Sequence, residues 1–161
     1  MLSRVSRITT GLAVGVFLGA ALAVAQSKDP VVGSWKLNVE KSTYSPGPPP
    51  KSTTSIYEAA GKGYKVSVKT EPASGPVQEW SYTSDFDGKD VPVSGASPNA
   101  DTVAAKRIDA YNLEVVNKKG GKVTTTQKNV VAVDGKTRTV STTGTDGAGR
   151  TVKSVAFYEK Q

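Results

Sequence analysis

From residue 30 onward no window carries a sustained helical stripe; short runs of alternating side chains stop instead at glycine-rich breaks. Trp35, Leu37 and Val39 alternate with Ser34, Lys36, Asn38 and Glu40, the period of a half-buried strand. Tyr64, Val66 and Val68 alternate with Lys65, Ser67 and Lys69, and Trp80, Tyr82, Ser84 and Phe86 share one face of a third run. Further strands are expected over Ser52–Glu58, Asp90–Val93, Thr102–Ile108, Asn112–Asn117, Lys122–Val133, Lys136–Thr143 and Arg150–Glu159. Many of these are dense in Thr, Val and Ser, which suit a pleated surface. Gly61-Lys62-Gly63, Asp87-Gly88, Gly120-Gly121 and Asp134-Gly135 supply the positive φ that tight hairpins need.

Short strands with short connectors predict an antiparallel meander. A meander of eight to ten strands removes its unpaired edges by closing into an up-and-down barrel. The domain expected over 31–161 has one unusual connector, at 42–50. Ser45-Pro46-Gly47-Pro48-Pro49-Pro50 can be neither strand interior nor helix, and it reads as an extended strap between the first two strands. The chain has no Cys and no His. That excludes disulfides, Cys/His metal sites, thiolate nucleophiles and imidazole as a general base.

Met1 to Ala25 reads as a secretory signal peptide. Arg4 and Arg7 form a positive start, Gly11–Val24 is apolar, and Ala23-Val24-Ala25 is a small-x-small cleavage pattern. The apolar run is shorter than the ~20 residues of a spanning helix, so no stable membrane insertion is expected after processing. Cleavage after Ala25 leaves 136 residues with a polar leader at 26–30. The segment carries two Arg and no acid, so the net charge falls from +7 to +5. The expected location is the periplasm or the extracellular space.

Gly33-Ser34-Trp35-Lys36-Leu37 resembles the Gly-x-Trp opening of the lipocalins and the Gly-x-Trp-x-Leu opening of the fatty-acid-binding proteins. The ending Val155-Ala156-Phe157-Tyr158-Glu159-Lys160 resembles the last strand of the latter. The mature region is also similar to a type of small exported bacterial protein with a Phe-Asp-Gly-Lys-Asp-x-Pro-Val-x-Gly middle, here Phe86 to Gly95. The resemblance implies a lipocalin-like (calycin) barrel around a ligand cavity, with Gly33 and Trp35 as its structural signature. Two departures stand out. The strap replaces the two lid helices of the fatty-acid-binding proteins, and Ala156 stands where their carboxylate-anchoring Arg precedes the last-strand Tyr, here Tyr158. With Ser154, Ala156 and Tyr158 facing inward, this frame implies an interior without that clamp and little selectivity for fatty acids over neutral lipids.

Trp35 is either a plug at the closed end beneath a basic side chain, Arg138 or Arg150, or ordinary core. Trp80, Tyr82, Phe86 and Tyr158 are the candidate ligand-binding residues of the interior, since aromatic rings combine area with a polar handle; the alternative is that they fill the core. Asp85 to Asp90 looks like a calcium loop but has Lys89 at a ligand position and no bidentate Glu to follow, so a plain Asp-Gly hairpin is expected and no metal. Asp109, Asp134 and Asp146 sit at turns, where carboxylates cap backbone. Ser and Thr hydroxyls lack a base, and no cofactor is implied. Lys118, Lys119, Lys122 and Lys128 bracket a turn without interleaved aromatics, a solvated basic face and not a nucleic-acid site. The expectation is an exported, monomeric, non-enzymatic barrel that binds a small hydrophobic or amphipathic molecule. Its rival is a filled barrel acting as a surface or structural module on an envelope polymer or a secreted protein.

Overall fold

The computed structural model describes residues 29–161, so the expected signal peptide lies outside the described residues. The described chain is eleven antiparallel strands with no helix. They are β1 (Gly33–Thr43), β2 (Ser52–Ala60), β3 (Gly63–Glu71), β4 (Gln78–Ser84), β5 (Asp87–Pro92), β6 (Ser94–Gly95), β7 (Thr102–Arg107), β8 (Asn112–Lys119), β9 (Lys122–Val131), β10 (Thr137–Thr145) and β11 (Thr151–Lys160). They form one sheet in the order β5-β7-β8-β9-β10-β11-β1-β2-β3-β4-β6. This is the expected up-and-down meander, curled into a near-closed barrel. The count exceeds the expected eight to ten because Ser94–Gly95 forms a two-residue strand of its own. β1 takes in Ser42 and Thr43, so the strap begins at Tyr44.

The one break in the wall lies between β4 and β5. These successive strands are neighbours without a shared ladder: β4 pairs with β3 and β6, and β5 pairs with β7. The expected Asp87-Gly88 hairpin is therefore a correction. The chain turns at Asp85–Phe86, and Asp87-Gly88 opens β5. Phe86 takes a left-handed φ of 57°, a conformation costly for a residue with a Cβ. Its backbone is held on both sides: its N–H donates to Ser84 Oγ at 3.0 Å, and its carbonyl accepts from the Arg107 N–H at 2.9 Å. Its ring is buried edge-on to Tyr64, 4.9 Å between centroids, and stacked at 6.4 Å on Tyr82. Burying a phenyl group stabilises by about 1.5–3 kcal/mol, enough to outweigh the strain. The aromatic cluster packs behind this turn, and β6 adds a short edge to β4 by pairing with Trp80 and Ser81.

Gly33 and Gly63 are among the glycines that geometry requires. Gly33 has φ +138°, outside the range of other L-residues, and a Cβ there would lie 2.8 Å from Lys160 Cε. At Gly63 the start of β3 passes so close to the turn after β4 that a Cβ would lie 2.1 Å from the Ser84 carbonyl oxygen.

Alternation sorts the side chains as the sequence predicts. Trp35, Leu37, Tyr57, Val66, Tyr82, Val103, Ala105, Leu113, Val115 and Val131 are buried inside, whereas Ile56, Val130 and Val155 stand exposed outside. Ser154, Ala156 and Tyr158 face the interior as read, and outward Phe157 is covered by the Lys41 ammonium 5.0 Å from its ring.

Candidate functional site

One end of the barrel is shut by residues next to β1. Trp35 has no exposed surface and donates from Nε1 to the Val31 carbonyl at 2.9 Å, which draws fully buried Val31 into the end of the barrel. Asp29 anchors this segment through a two-pronged pair with Arg107, Nη1 to Oδ2 at 2.7 Å and Nη2 to Oδ1 at 3.1 Å. The Tyr64 hydroxyl joins both partners. Arg107 also donates to the Asp109 and Ala110 carbonyls at 3.0 Å each, so one guanidinium ties the leader to the turn between β7 and β8.

Above Trp35 lies a second guanidinium, Arg138, at the start of β10 and only 2% exposed. Of the two guanidinium candidates it is the one over Trp35, and Lys160 adds a second cation, its Nζ 4.8 Å from the ring. Arg138 stacks on the Trp35 ring at 5.2 Å, whereas Arg150 lies at the surface in an ion pair with Asp146 at 2.8 Å. Arg138 also meets the Tyr57 ring at 4.9 Å and the Tyr158 ring at 4.6 Å, since Tyr158 is its direct cross-strand partner on β11. Its Nη2 donates to Ser55 Oγ at 2.5 Å. Among the described residues its Nε and Nη1 have no acceptor, and the buried Asn129 Nδ2 on neighbouring β9 has none either. The interior thus holds a guanidinium after all. The expectation of an interior without a guanidinium is corrected: Ala156 supplies none, but the neighbouring strand places Arg138 opposite Tyr158.

The space beside Arg138 is an inner chamber of about 70 Å³, with Ser55, Tyr57, Tyr82, Gln127, Asn129 and Tyr158 in its wall and no carboxylate. Val68, Trp80, Gln127, Val140 and Tyr158 also line a larger hollow of about 390 Å³ toward the opposite end. There the strap residues Tyr44, Ser45, Pro46 and Pro50 stand along its rim with Pro98, Asn99, Asp146 and Arg150. The strap is fixed to β11 by the Lys153 N–H on the Ser45 carbonyl at 2.8 Å and by the Ser45 N–H on Ser154 Oγ at 3.3 Å.

The wall of the larger hollow is polar for a barrel interior. Thr53, Asn117, Thr125 and Ser154 are buried there, with Gln127 and Thr142 beside them. Asn117 donates to Thr125 Oγ1 at 2.9 Å, and Thr53 bonds Thr70 at 3.2 Å. Burial pushes the phenols of Tyr44, Tyr82 and Tyr158 above their ordinary range, with the Arg138 charge pulling the last two back down in part. All three are neutral hydrogen-bonding groups at physiological pH.

The candidate aromatics take different places. Trp80 and Tyr158 line both spaces, Tyr82 lines the inner chamber, and Phe86 packs at the turn beyond it. Sequence reasoning missed Asn129, Ser55 and Asp29, and placed Arg138 only as a candidate lid over Trp35. Asp109, Asp134 and Asp146 each accept backbone N–H groups of their own turns, from Tyr111 at 2.8 Å, Lys136 at 2.9 Å and Ala148 at 2.9 Å. Among the described residues no group of three metal-ligating side chains converges. Lys118 of the basic cluster is paired with Asp90 at 2.7 Å.

Comparison of the chain with protein families, with curated proteins and with solved structures finds no match. What the fold and the interior define is a class of architecture: an antiparallel near-barrel, compatible with the calycin-like resemblance of its ends, closed by Trp35 and hollow toward the strap.

Proposed function

We propose that the mature chain, exported and cleaved after Ala25, acts in the periplasm or outside the cell as a monomeric, non-enzymatic barrel that binds a small amphipathic molecule in its interior. The observation that carries this reading is the hollow of about 390 Å³ above Arg138, within the size range of small-molecule sites. A filled core, as the surface-module alternative requires, would leave no such space. Aromatic faces at Tyr44, Trp80 and Tyr158 beside hydroxyl and amide groups suit a ligand with both apolar and hydrogen-bonding parts, more than a purely hydrophobic one. The test is a thermal-shift screen of the mature domain against neutral and anionic lipids and metabolites. A ligand that binds only the native state at a hundred times its Kd stabilises by about 2.7 kcal/mol, so at least one compound is expected to raise the melting temperature by several degrees. A flat response across neutral and charged compounds at millimolar concentration would overturn the reading.

A further inference from the structure

We propose that Arg138 and Asn129 form a buried carboxylate subsite, and that the ligand is a small carboxylic acid whose body is hydroxylated, of the sugar-acid kind, and not an alkyl chain. The inference rests on the ligand-binding reading above and adds the ligand's charge and polarity.

Three observations carry it. First, Arg138 is a permanently charged group at 2% exposure, and among the described residues it has no carboxylate partner and a single hydrogen bond, to Ser55. Buried polar groups are almost always satisfied, yet its Nε and Nη1 and the Asn129 Nδ2 lack acceptors. All three are donors, and the chamber wall offers them no acid. An anion is the complement that this set lacks. Stacking on Trp35, Tyr57 and Tyr158 holds the guanidinium plane in place, and a planar guanidinium matches a carboxylate's two oxygens.

Second, the space has the right scale. The inner chamber of about 70 Å³ is about half of the ~150 Å³ cavity that takes a benzene ring, a size that suits a carboxylate better than a ring. Third, the larger hollow in which the rest of the ligand must lie mixes apolar faces, among them Val68, Trp80, Val140 and Val152, with the polar groups of Thr53, Asn117, Thr125, Gln127, Thr142 and Ser154. An alkyl chain there would strip water from hydroxyl and amide groups without replacing their hydrogen bonds. A ring bearing hydroxyls replaces them and presents faces to Trp80 and Tyr44.

The test uses ¹⁵N NMR of the mature domain, reading the Arg138 Nε–H and Asn129 side-chain amide signals. Titrants are acetate, D-glucuronate, D-glucose and octanoate. Arg107, already paired with Asp29 and in the wall of neither space, serves as the internal reference. Glucuronate is expected to move the Arg138 and Asn129 signals saturably at concentrations where glucose does not. Arg138→Met is expected to weaken glucuronate binding at least tenfold. Asn129→Asp, nearly isosteric and supplying the missing carboxylate internally, should weaken it equally while the domain stays folded. If no acid perturbs Arg138, the subsite is refuted. Octanoate binding tenfold more tightly than glucuronate would refute the hydroxylated body. A neutral compound that stabilises the domain without moving Arg138 would leave the binding barrel standing and remove the anion subsite; failure of every compound in both experiments removes both.

Discussion

Replacing Arg138 by Met separates a structural guanidinium from one kept for a ligand. The change removes three ring contacts at 4.6–5.2 Å, each worth about 2 kcal/mol for a desolvated cation over an aromatic face. It also removes two nitrogens without acceptors, each costing about 1–3 kcal/mol, and the desolvation of a buried charge, which costs several kcal/mol more. Met has a similar length and fills the same space with an unbranched apolar chain. The Ser55 hydroxyl loses its donor, a loss of about 1 kcal/mol. The gains match or exceed the losses, so the variant is expected to be at least as stable as the unmodified domain in the absence of ligand. Urea unfolding of both forms in an anion-poor buffer, followed by tryptophan fluorescence, should place the midpoint of Arg138→Met at or above that of the unmodified domain. Destabilisation by about 2 kcal/mol or more would mean that the stacked rings need the charge, and the argument from its missing partners would fall.

Gly63→Ala is expected to destabilise by about 3 kcal/mol, since a Cβ 2.1 Å from a backbone oxygen forces the β3–β4 junction apart; an unchanged melting temperature would show that the turn relaxes freely. Arg107→Ala should cost about 1.5–3 kcal/mol and raise amide exchange at Val31 and Val32 while leaving the middle of β9 protected, as expected for release of Asp29 from the closed end. Alkaline pH gives a signed prediction. Burial raises the phenols of Tyr44, Tyr82 and Tyr158 in the folded state. Their contribution to stability is therefore full below the unfolded value near 10 and is lost as pH climbs above it. Unfolding midpoints should fall above about pH 10, less steeply in Tyr82→Phe, and phenolate absorbance from these residues should appear together with unfolding; early titration in an intact fold would contradict it.

The meander was legible because alternation with a period of two leaves little freedom: Trp35, Leu37, Val66 and Tyr158 could only be inward once Lys36, Lys65 and Glu159 were outward. The same rule already held the key to the interior. In Thr137-Arg138-Thr139-Val140 the Arg shares a face with Val140, and in Lys128-Asn129-Val130-Val131 the Asn shares one with Val131. Charge normally marks an outer face, so the sequence offers Arg138 only as a candidate cover for Trp35; its place opposite Tyr158 depends on the pairing of β10 with β11, which no local pattern states. The turn at Asp85–Phe86 was not legible. Glycine two residues later is the stronger local signal, and only the tertiary packing of Phe86 against Tyr64 and Tyr82 overrides it. Asp29 was hidden for a similar reason, because its partner Arg107 lies 78 residues away.

The central claim, that the interior above Trp35 is a ligand chamber with an anion-seeking floor, is tested most directly by a crystal structure of the mature domain grown with D-glucuronate. The account predicts a bound acid with its carboxylate on Arg138 Nε or Nη1 and Asn129 Nδ2 and its ring beside Trp80 beneath the strap. Arg138 satisfied wholly by protein groups, in an interior that the side chains have closed, would contradict it.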